Sequence, residues 1–369
     1  MVSVLNMGPV AFRKYMDLKK IVIFGAGRAL DSCIDLYFSN KEIELVVDNC
    51  EAKWGESFFH LGKRVYVGGI NQFIETIKKQ TVDDYILVIN SPFYAADIIE
   101  QLDRIEEFNG LECVLLVVLR NTKERVPSFH FSKGVERIPR KIHYFWIGDK
   151  PIPHEFQRNI ETWKTHNPDF EIICWNEKNY DFDKCAYTRE CVATKQWSFA
   201  TNYARLDVVY SEGGIYLDTD VVVKRGLDIL LADKAFFNMG GADRINMGCG
   251  FGAQPHTNII EDIKNQFEYI HFVNKDGAPM KKTFHSYVHP ILKKHGFEII
   301  NQYQNIDGVA LYPCEVMSPL TIEGMPDFFT KNTISIHMEK GTWKQSVEKE
   351  GMSKIARLIR ERLMNDIDD

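Results

Sequence analysis

The sequence has no long hydrophobic run, no basic excess and no paired cysteine motif. None of its 369 residues lies in a stretch of the roughly 18–20 apolar residues that a membrane-spanning helix requires. Lys and Arg number 45 against 51 Asp and Glu, a net charge of −6, which argues against a general nucleic-acid-binding protein. The eight cysteines include no C-x-x-C pair, so we expect reduced thiols rather than a disulfide framework or a zinc site.

The N-terminus also lacks the apolar core of a signal peptide. Arg13, Lys14 and Asp17 interrupt the sequence before any long apolar run begins. Together with the scattered cysteines, this pattern leads us to expect a cytoplasmic protein.

The length and the order of apolar segments predict two α/β domains, because a single core rarely grows beyond about 250–300 residues. In residues 1–120, apolar runs such as 21–24, 85–89 and 113–119 read as buried strands that alternate with helices, which is typical of a Rossmann-like doubly wound parallel sheet. The polar segment 121–137 reads as a linker. A second α/β domain, residues 138–369, includes a predicted strand at 215–223 and a helical tail.

The helical tail has one apolar face and one basic face. The basic residues are Lys354, Arg357, Arg360 and Arg362. One interpretation is peripheral contact with anionic lipid at the inner face of the cell membrane. The other is a helix that packs on its own domain and exposes its charges to solvent.

A glycine-rich turn near the N-terminus resembles a dinucleotide-binding fingerprint. Gly25 and Gly27 follow the first buried strand, and Asp48 lies about twenty residues further on, where such sites hold a ribose hydroxyl. Leu30 occupies the position of the third glycine, so NAD is an unlikely ligand. The alternatives are a nucleotide-like ligand at Gly25, Gly27 and Asp48, or a turn that has only a structural role.

The most informative segment is a predicted helix that ends at Gly213-Gly214 and turns directly into an apolar strand carrying Asp218 and Asp220. Because side chains alternate along a strand, we expect both carboxylates on one face. A divalent cation would relieve their repulsion, and Mg²⁺ or Mn²⁺ held by one or two carboxylates and by phosphates is a common way to bind a nucleoside diphosphate.

Two polar residues of the preceding helix lie three positions apart and therefore share a face. Asn202 and Arg205 offer an amide and a guanidinium that could bind sugar hydroxyls and phosphate oxygens. The simpler alternative is a solvated Asp pair with Arg205 as its counter-ion.

With its flanking helix and turn, this segment resembles the core motif of glycosyltransferase family 32. Arg205, the two glycines, Tyr216, Asp218 and Asp220 match the family pattern, whereas Thr201-Asn202 replaces its usual Ser-Asp. The resemblance implies a GT-A-type fold, a retaining mechanism, and a metal-bound nucleotide-sugar donor in which Asp220 is the main ligand. The Asn at position 202 leaves the choice of donor sugar open.

Two further segments resemble blocks of the same family. Trp146 ends a segment like the family's opening strand, where it would stack on the nucleotide base, a contact worth roughly 1–3 kcal/mol. His337 and Trp343 lie in a segment like the closing block, which implies that His337 completes the metal site and Trp343 covers the phosphates. Asn246, in a glycine-rich loop, is a further candidate for donor contact.

We therefore expect a metal-dependent hexosyltransferase with Asp218, Asp220 and Arg205 at its catalytic centre and Trp146, Asn202, Tyr216, Asn246 and Trp343 around the donor. The expected donor is a UDP-sugar rather than a GDP-sugar. The expected acceptor is a glycan or a lipid-linked oligosaccharide in capsular or surface polysaccharide synthesis. Two rival hypotheses remain, an NAD-dependent oxidoreductase and a non-catalytic sugar-nucleotide-binding protein.

Overall fold

The computed structural model describes residues 1–27, 29–122, 124, 127–241, 243–280, 282–323, 325–338 and 346–363. The chain forms two compact units. The first contains residues 1–124, 321–327 and 341–369, and the second contains residues 125–320 and 328–340. None of the described helices is both long and apolar enough to cross a membrane.

The first unit is built on a seven-stranded sheet in the order β1-β7-β6-β2-β3-β5-β4. All neighbouring pairs are parallel except β4 and β5. The strands are β1 (Ser3–Val4), β2 (Lys20–Phe24), β3 (Ile43–Val47), β4 (Ser57–His60), β5 (Lys63–Gly68), β6 (Tyr85–Ile89) and β7 (Glu112–Leu115). The helices up to this point are α1 (Pro9–Tyr15), α2 (Leu30–Cys33), α3 (Ile70–Ile77), α4 (Ala95–Leu102) and α5 (Leu116–Leu119).

Alternation along the central strands buries both faces of this sheet. On β2, Val22 and Phe24 belong to one apolar cluster, and Ile21 and Ile23 belong to the other. Two-sided burial is why these strands read as continuous apolar runs. The segment 113–119, which we predicted as one strand, changes to helix after Leu115, so that part of the prediction was wrong.

The second unit has a mixed seven-stranded sheet in the order β14-β15-β12-β13-β10-β8-β9 and a separate two-stranded sheet of β11 and β16. The strands are β8 (Lys141–Phe145), β9 (Glu171–Trp175), β10 (Gly214–Tyr216), β11 (Val221–Val223), β12 (Ala235–Asn238), β13 (Phe251–Ala253), β14 (Gln304–Ile306), β15 (Val309–Tyr312) and β16 (Ser335–His337). The helices are α6 (His154–His166), α7 (Ala186–Ala193), α8 (Trp197–Glu212), α9 (Asn258–Asn265) and α10 (His285–Lys294). Both units confirm the α/β class.

The last helix, α11 (Ser346–Arg362), belongs to the first unit, although its position in the chain led us to group it with residues 138–369. Ile355, Leu358 and Ile359 are buried in the same apolar cluster as Val22 and Leu87. The helix therefore completes one face of the first sheet.

The basic face of α11 is paired within the protein. Lys354 Nζ lies 2.8 Å from Asp97, Arg357 lies 3.6 Å from Glu100, and Arg360 lies 3.1 Å from Glu323. Arg362 pairs with Asp103. These contacts favour the interpretation in which the helix packs on its own unit, and contact with anionic lipid stays a prediction.

Candidate functional site

Two glycines make the sharp turn from α8 into β10. Gly213 has φ of 65°, and a Cβ built there would lie 2.7 Å from Pro255 and 2.8 Å from Pro139. Gly214 has φ of 102°, and its Cβ would lie 2.8 Å from His143 Nε2. Positive φ and close packing both require glycine here, so the predicted glycine cap is present for two independent reasons.

His143 holds this turn from inside the sheet. Its Nδ1 accepts a hydrogen bond from Trp175 Nε1 at 3.1 Å, so the ring proton is on Nε2, which donates to the Gly213 carbonyl at 2.7 Å. Burial lowers the pKa of His143, which favours this neutral form. This histidine therefore has a structural role.

The carboxylates Asp218 and Asp220 lie in a turn, not on a continuous strand. β10 ends at Tyr216 and β11 begins at Val221, and the Val221 N–H donates to the Asp218 carbonyl at 3.1 Å. Our expectation that strand alternation would put both on one face was wrong, because a turn replaces the strand at residues 217–220. The turn nevertheless brings the carboxylates together.

His337 joins the two carboxylates through strand pairing. β16 runs antiparallel to β11 with Val221 opposite His337, and the Met338 N–H donates to the Asp220 carbonyl at 3.0 Å. His337 Nε2 lies 3.1 Å from Asp220 Oδ1. One ligand atom from each of Asp218, Asp220 and His337 lies within 4.8 Å of the others.

The donor set of this cluster fits a divalent cation. Carboxylate oxygens suit Mg²⁺ and Mn²⁺, and imidazole is a ligand for many transition metals. All three side chains are buried or half-buried, so water screens their charges only in part. The sequence predicted these residues, and the structure brings them together.

Arg205 is a buried cation beside the cluster. Its Nη1 lies 3.4 Å from Asp218 Oδ1, and its guanidinium stacks on the Tyr216 ring at 4.5 Å from the centroid. Thr201 lies one turn earlier on α8. Its carbonyl oxygen accepts a hydrogen bond from Arg205 Nε, and its hydroxyl oxygen accepts one from Arg205 Nη2. Burial lowers the pKa of Arg205, but the charge of Asp218 and the neighbouring Tyr216 raise it by more, so the group stays charged.

Tyr216 fixes the other side of Asp218. Its hydroxyl donates to Asp218 Oδ1 at 2.7 Å, and the residue is 2% exposed. Burial raises the pKa of Tyr216 well above its usual value, which keeps the hydroxyl protonated as a donor. Because Arg205 and Tyr216 both contact Oδ1, the Oδ2 atom of Asp218 remains for other partners.

Asn246 organises the loop opposite the two carboxylates. Its Oδ1 accepts from the Gly248 N–H at 2.9 Å and from the Cys249 N–H at 3.3 Å. Its Nδ2 lies 3.0 Å from Nδ1 of His337. The residue that we predicted as a donor contact therefore orients a member of the cluster.

Trp146 and Asn202 occupy nearby elements without touching the cluster directly in the contacts described. Trp146 follows β8, which runs parallel to β10, so it lies at the same carboxyl edge of the sheet as Asp218. The amide of Asn202 donates to the Tyr187 hydroxyl at 3.3 Å. Trp343 lies outside the described residues, and donor contact by these residues stays a prediction.

Residues that sequence reasoning missed lie immediately around the cluster. A Cβ at Gly248 would lie 2.3 Å from Asp218 Oδ2, so a larger residue there would displace that carboxylate. Phe284, which precedes α10, places its ring 5.5 Å from the Arg205 guanidinium. Thr201 could have been found as the residue four positions before Arg205 on a helix. Gly248 lies in the glycine-rich loop noted in the sequence, but Phe284 gave no local signal.

Asp48, the acidic residue of the N-terminal glycine turn, accepts hydrogen bonds from groups of the chain itself. Asp48 Oδ2 accepts from the Ala26 N–H at 2.7 Å and from Lys53 Nζ at 2.9 Å, and Oδ1 accepts from the Cys50 N–H at 2.8 Å. Burial raises the pKa of Asp48, but these donors lower it by a larger amount, so the pKa lies below its usual value. Both oxygens thus already have partners, and a ribose hydroxyl would have to compete with them. Ligand binding at Gly25, Gly27 and Asp48 stays a prediction.

His285 and His289 lie four positions apart on α10, and both already have polar partners. His289 is 7% exposed and its Nε2 accepts from the Ile245 N–H at 3.1 Å. His285 Nε2 lies 3.1 Å from the Thr283 hydroxyl. His289 therefore fixes the backbone next to Asn246.

Comparison with known proteins finds similarity to glycosyltransferases. Residues 153–237 match the glycosyltransferase sugar-binding region containing a DXD motif. The chain is 28% identical over 146 residues to inositol phosphoceramide mannosyltransferase 1 of Schizosaccharomyces pombe, covering 37% of this chain and 45% of that protein. It is 29% identical over 147 residues to inositol phosphoceramide mannosyltransferase 3 of the same yeast, covering 37% of this chain and 39% of that protein.

The matched part thus spans less than half of either yeast protein. Among solved structures, the chain is similar to the PaToxG glycosyltransferase, with 15% identity, a TM-score of 0.32, and coverage of 44% of this chain and 76% of that chain. The matched region contains α8, the glycine turn, Asp218 and Asp220. The part of the chain that carries Asp218 and Asp220 is therefore similar to the glycosyltransferase sugar-binding region containing a DXD motif.

Proposed function

We propose that the second unit is a metal-dependent, retaining glycosyltransferase of the GT-A type. It would transfer a hexose from a nucleoside diphosphate sugar, UDP rather than GDP, to a glycan or lipid-linked acceptor in capsular or surface polysaccharide synthesis. The observation that carries the proposal is the convergence of Asp218, Asp220 and His337 beside the buried cation Arg205. Asp218, Asp220 and Arg205 lie inside the region that matches the sugar-binding family, and His337 joins them through strand pairing.

Asp220, Asp218 and His337 would hold Mn²⁺ or Mg²⁺. Such an ion neutralises negative charge that develops on a departing diphosphate. The protein's own share of this work falls to Arg205, whose charge is fixed in place by Thr201 and Tyr216. A preorganised cation in a buried site stabilises developing negative charge more strongly than a solvated one does.

Donor recognition would use residues around this centre. Trp146 would stack on the base at the carboxyl edge of the sheet, and Asn202 would bind the donor sugar by hydrogen bonds without a charge. Tyr216 keeps Asp218 in place, and Trp343 would cover the phosphates. Asn246 supports the site through His337.

The proposed reaction is a substitution at the anomeric carbon with retention of configuration. The bond between that carbon and the diphosphate oxygen breaks, and its electron pair stays with the diphosphate. The acceptor hydroxyl oxygen bonds to the same carbon from the leaving-group face, and its proton passes to the departing diphosphate. No side chain is required as a covalent nucleophile.

Two rival functions predict different behaviour. An NAD-dependent oxidoreductase would use the N-terminal glycine turn, where Asp48 already accepts three hydrogen bonds from the chain itself. A non-catalytic sugar-nucleotide-binding protein would bind the donor without consuming it. The eight free cysteines support a cytoplasmic location as part of the proposal.

The test begins with a thermal-shift screen of UDP- and GDP-sugars in the presence of Mn²⁺. The cognate donor should raise the melting temperature most, since stabilisation grows as RT ln(1 + [L]/Kd). Donor hydrolysis that requires Mn²⁺ would support an enzyme, whereas binding without turnover would favour the non-catalytic rival. Asp220→Ala should lose donor binding and turnover with the fold intact, and Asp228→Ala is the matched control. Unchanged turnover in both Asp218→Ala and Asp220→Ala would show that the metal assignment is wrong.

A further inference from the structure

A pocket in the second unit lies next to the candidate site and has no role in the function proposed so far. Its volume is about 680 Å³, within the range of small-molecule sites. The lining includes four apolar or aromatic side chains and two lysines: Ile270, Val273, Met280, Tyr287, Lys275 and Lys282.

One wall of the pocket is a short hairpin that α7 fixes in place. Glu190 accepts hydrogen bonds from the backbone N–H groups of Phe272 and Val273, at 2.7 and 3.1 Å, and pairs with His271 at 2.6 Å. Burial raises the pKa of Glu190, but these donors lower it by a larger amount. The pKa therefore lies below its usual value, and the carboxylate is charged. Phe272 is fully buried below the hairpin. The apolar wall is therefore held by defined contacts.

The other wall connects the pocket to the candidate site. Tyr287 lines the pocket and makes an edge contact with Tyr187 at 6.4 Å between centroids, and the Tyr187 hydroxyl accepts from Asn202. Phe284, three residues before Tyr287, lies against Arg205. Tyr187 thus connects this wall of the pocket to Asn202 on α8, which is a predicted donor contact.

The lysines of the pocket lining are Lys275 and Lys282, while the nearby carboxylate of Glu190 is already bound by His271 and two backbone N–H groups. Lys275 and Lys282 are exposed, and the part of the chain that the structure describes gives neither of them an ion pair. The Lys282 ammonium lies 5.0 Å from the centroid of the Tyr287 ring. Two cations beside an apolar lining complement a group that joins an apolar chain to a phosphate.

We propose that this pocket binds the acceptor, and that the acceptor is amphiphilic, with an apolar chain on Ile270, Val273, Met280 and Tyr287 and a phosphate at Lys275 and Lys282. This inference rests on the proposed function and names the acceptor class for it. A free sugar would need hydrogen-bonding groups rather than an apolar surface, so the acceptor's sugar or polyol hydroxyl would lie outside the pocket, toward α8.

The test measures binding of three probes to the full-length protein by calorimetry, below the micelle concentration. The probes are decyl phosphate, decyl maltoside and inorganic phosphate, and each titration is repeated with UDP and Mn²⁺ present. Decyl phosphate should bind about tenfold more tightly than decyl maltoside, and inorganic phosphate should bind weakly. Affinity for decyl phosphate should be unchanged by UDP and Mn²⁺, because the donor occupies a different site.

Variants assign the binding to this pocket. The double variant Lys275→Gln, Lys282→Gln should lose the preference for decyl phosphate over decyl maltoside, whereas Met280→Gln should weaken both alkyl probes. Lys294→Gln, an exposed lysine at the far end of α10, is the matched control and should behave as the unaltered protein. All these residues are exposed, so folding should be retained.

Several outcomes would overturn the inference. These are equal affinity for decyl phosphate and decyl maltoside, equal affinity for decyl phosphate and inorganic phosphate, displacement of decyl phosphate by UDP, or no effect of the double variant. Donor hydrolysis is measured in parallel, so that the two proposals can fail separately. The proposed function fails if the unaltered protein does not hydrolyse any donor. The pocket assignment fails if hydrolysis is normal and the probes do not bind as expected.

Discussion

Asn246 places its amide nitrogen 3.0 Å from Nδ1 of His337, while its amide oxygen accepts two backbone N–H groups of the same loop. With the oxygen occupied, the amide nitrogen donates to Nδ1, and the ring proton of His337 is then on Nε2, 3.1 Å from Asp220 Oδ1. In this state His337 donates to Asp220. A metal ion on Nε2 would need the lone pair there, with the proton on Nδ1 facing an acceptor.

Substitution of Asn246 should therefore change metal affinity. Asn246→Ala removes the amide donor that opposes a proton on Nδ1 but supplies no acceptor for that proton, so it should bind Mn²⁺ about 10–100-fold more weakly than Asn246→Asp. Asn246→Asp can still accept from the loop and can also accept from Nδ1–H, so it should bind Mn²⁺ at least as tightly as the unaltered protein. Calorimetric titration with Mn²⁺ measures both variants. Equal affinity in all three proteins would mean that His337 does not bind the metal.

Gly248→Ala should impair the site without unfolding the protein. The new Cβ would lie 2.3 Å from Asp218 Oδ2, which would push that carboxylate aside. We expect donor hydrolysis to fall at least tenfold while the melting temperature changes little. Gly27→Ala is the control, because no atom lies within 4 Å of its Cβ position. Normal hydrolysis in Gly248→Ala would show that the position of Oδ2 is not critical.

Arg205→Lys should lower both stability and turnover although the charge is kept. A lysine cannot reproduce the paired hydrogen bonds to Thr201 or the planar stacking on Tyr216. We expect a lower melting temperature and loss of most donor hydrolysis. The exposed Arg189→Lys serves as the control. A variant with normal turnover would remove Arg205 from the catalytic centre.

His143 should make stability depend on pH. Burial lowers its pKa in the folded protein, so at acidic pH the unfolded chain binds a proton that the folded chain does not. Its contribution to the free energy of unfolding is complete above the unfolded pKa of about 6.5 and decreases as pH falls below that value. Urea unfolding at several pH values should show a smaller acid decrease in His143→Gln than in the unaltered protein. Identical pH profiles would contradict this assignment.

Ile359→Ala should destabilise the first unit. Ile359 is fully buried in the apolar cluster that includes strands β2 and β6, and truncation of such a side chain costs about 2–5 kcal/mol. Hydrogen exchange should accelerate at the amides of β2 and β6. The exposed Arg357→Ala should leave these rates nearly unchanged. Faster exchange only in strands of the second unit would contradict the placement of α11.

Local pattern predicted the elements and singled out Asp218, Asp220 and Arg205, whereas His337 was assigned only through the family resemblance. The Gly213-Gly214 cap follows from backbone geometry, and Asp218 and Asp220 stand out because carboxylates seldom follow an apolar strand without a partner. The break between β10 and β11 was not predictable in the same way. Apolar residues on both sides of the break look like one strand, and only the turn bond from Val221 to Asp218 separates them.

The features that could not be predicted from the sequence depend on packing between distant segments of the chain. The apolar face of α11 indicated burial, but nothing in its sequence says that the partner is a sheet formed more than two hundred residues earlier. The contacts of Gly248 and Phe284 with the centre likewise depend on how distant segments meet. Such positions carry no periodic signal.

The place of α11 has a consequence for how the chain matures during synthesis. Domains generally fold as they emerge, N-terminal parts first. Here the first sheet receives its last covering helix from residues 346–362, after the whole second unit has been translated. A ribosome that stops early would release a chain with an uncovered apolar face, which is a ready target for chaperones and proteases. The N-terminal unit is therefore complete only after the second unit has been translated in full.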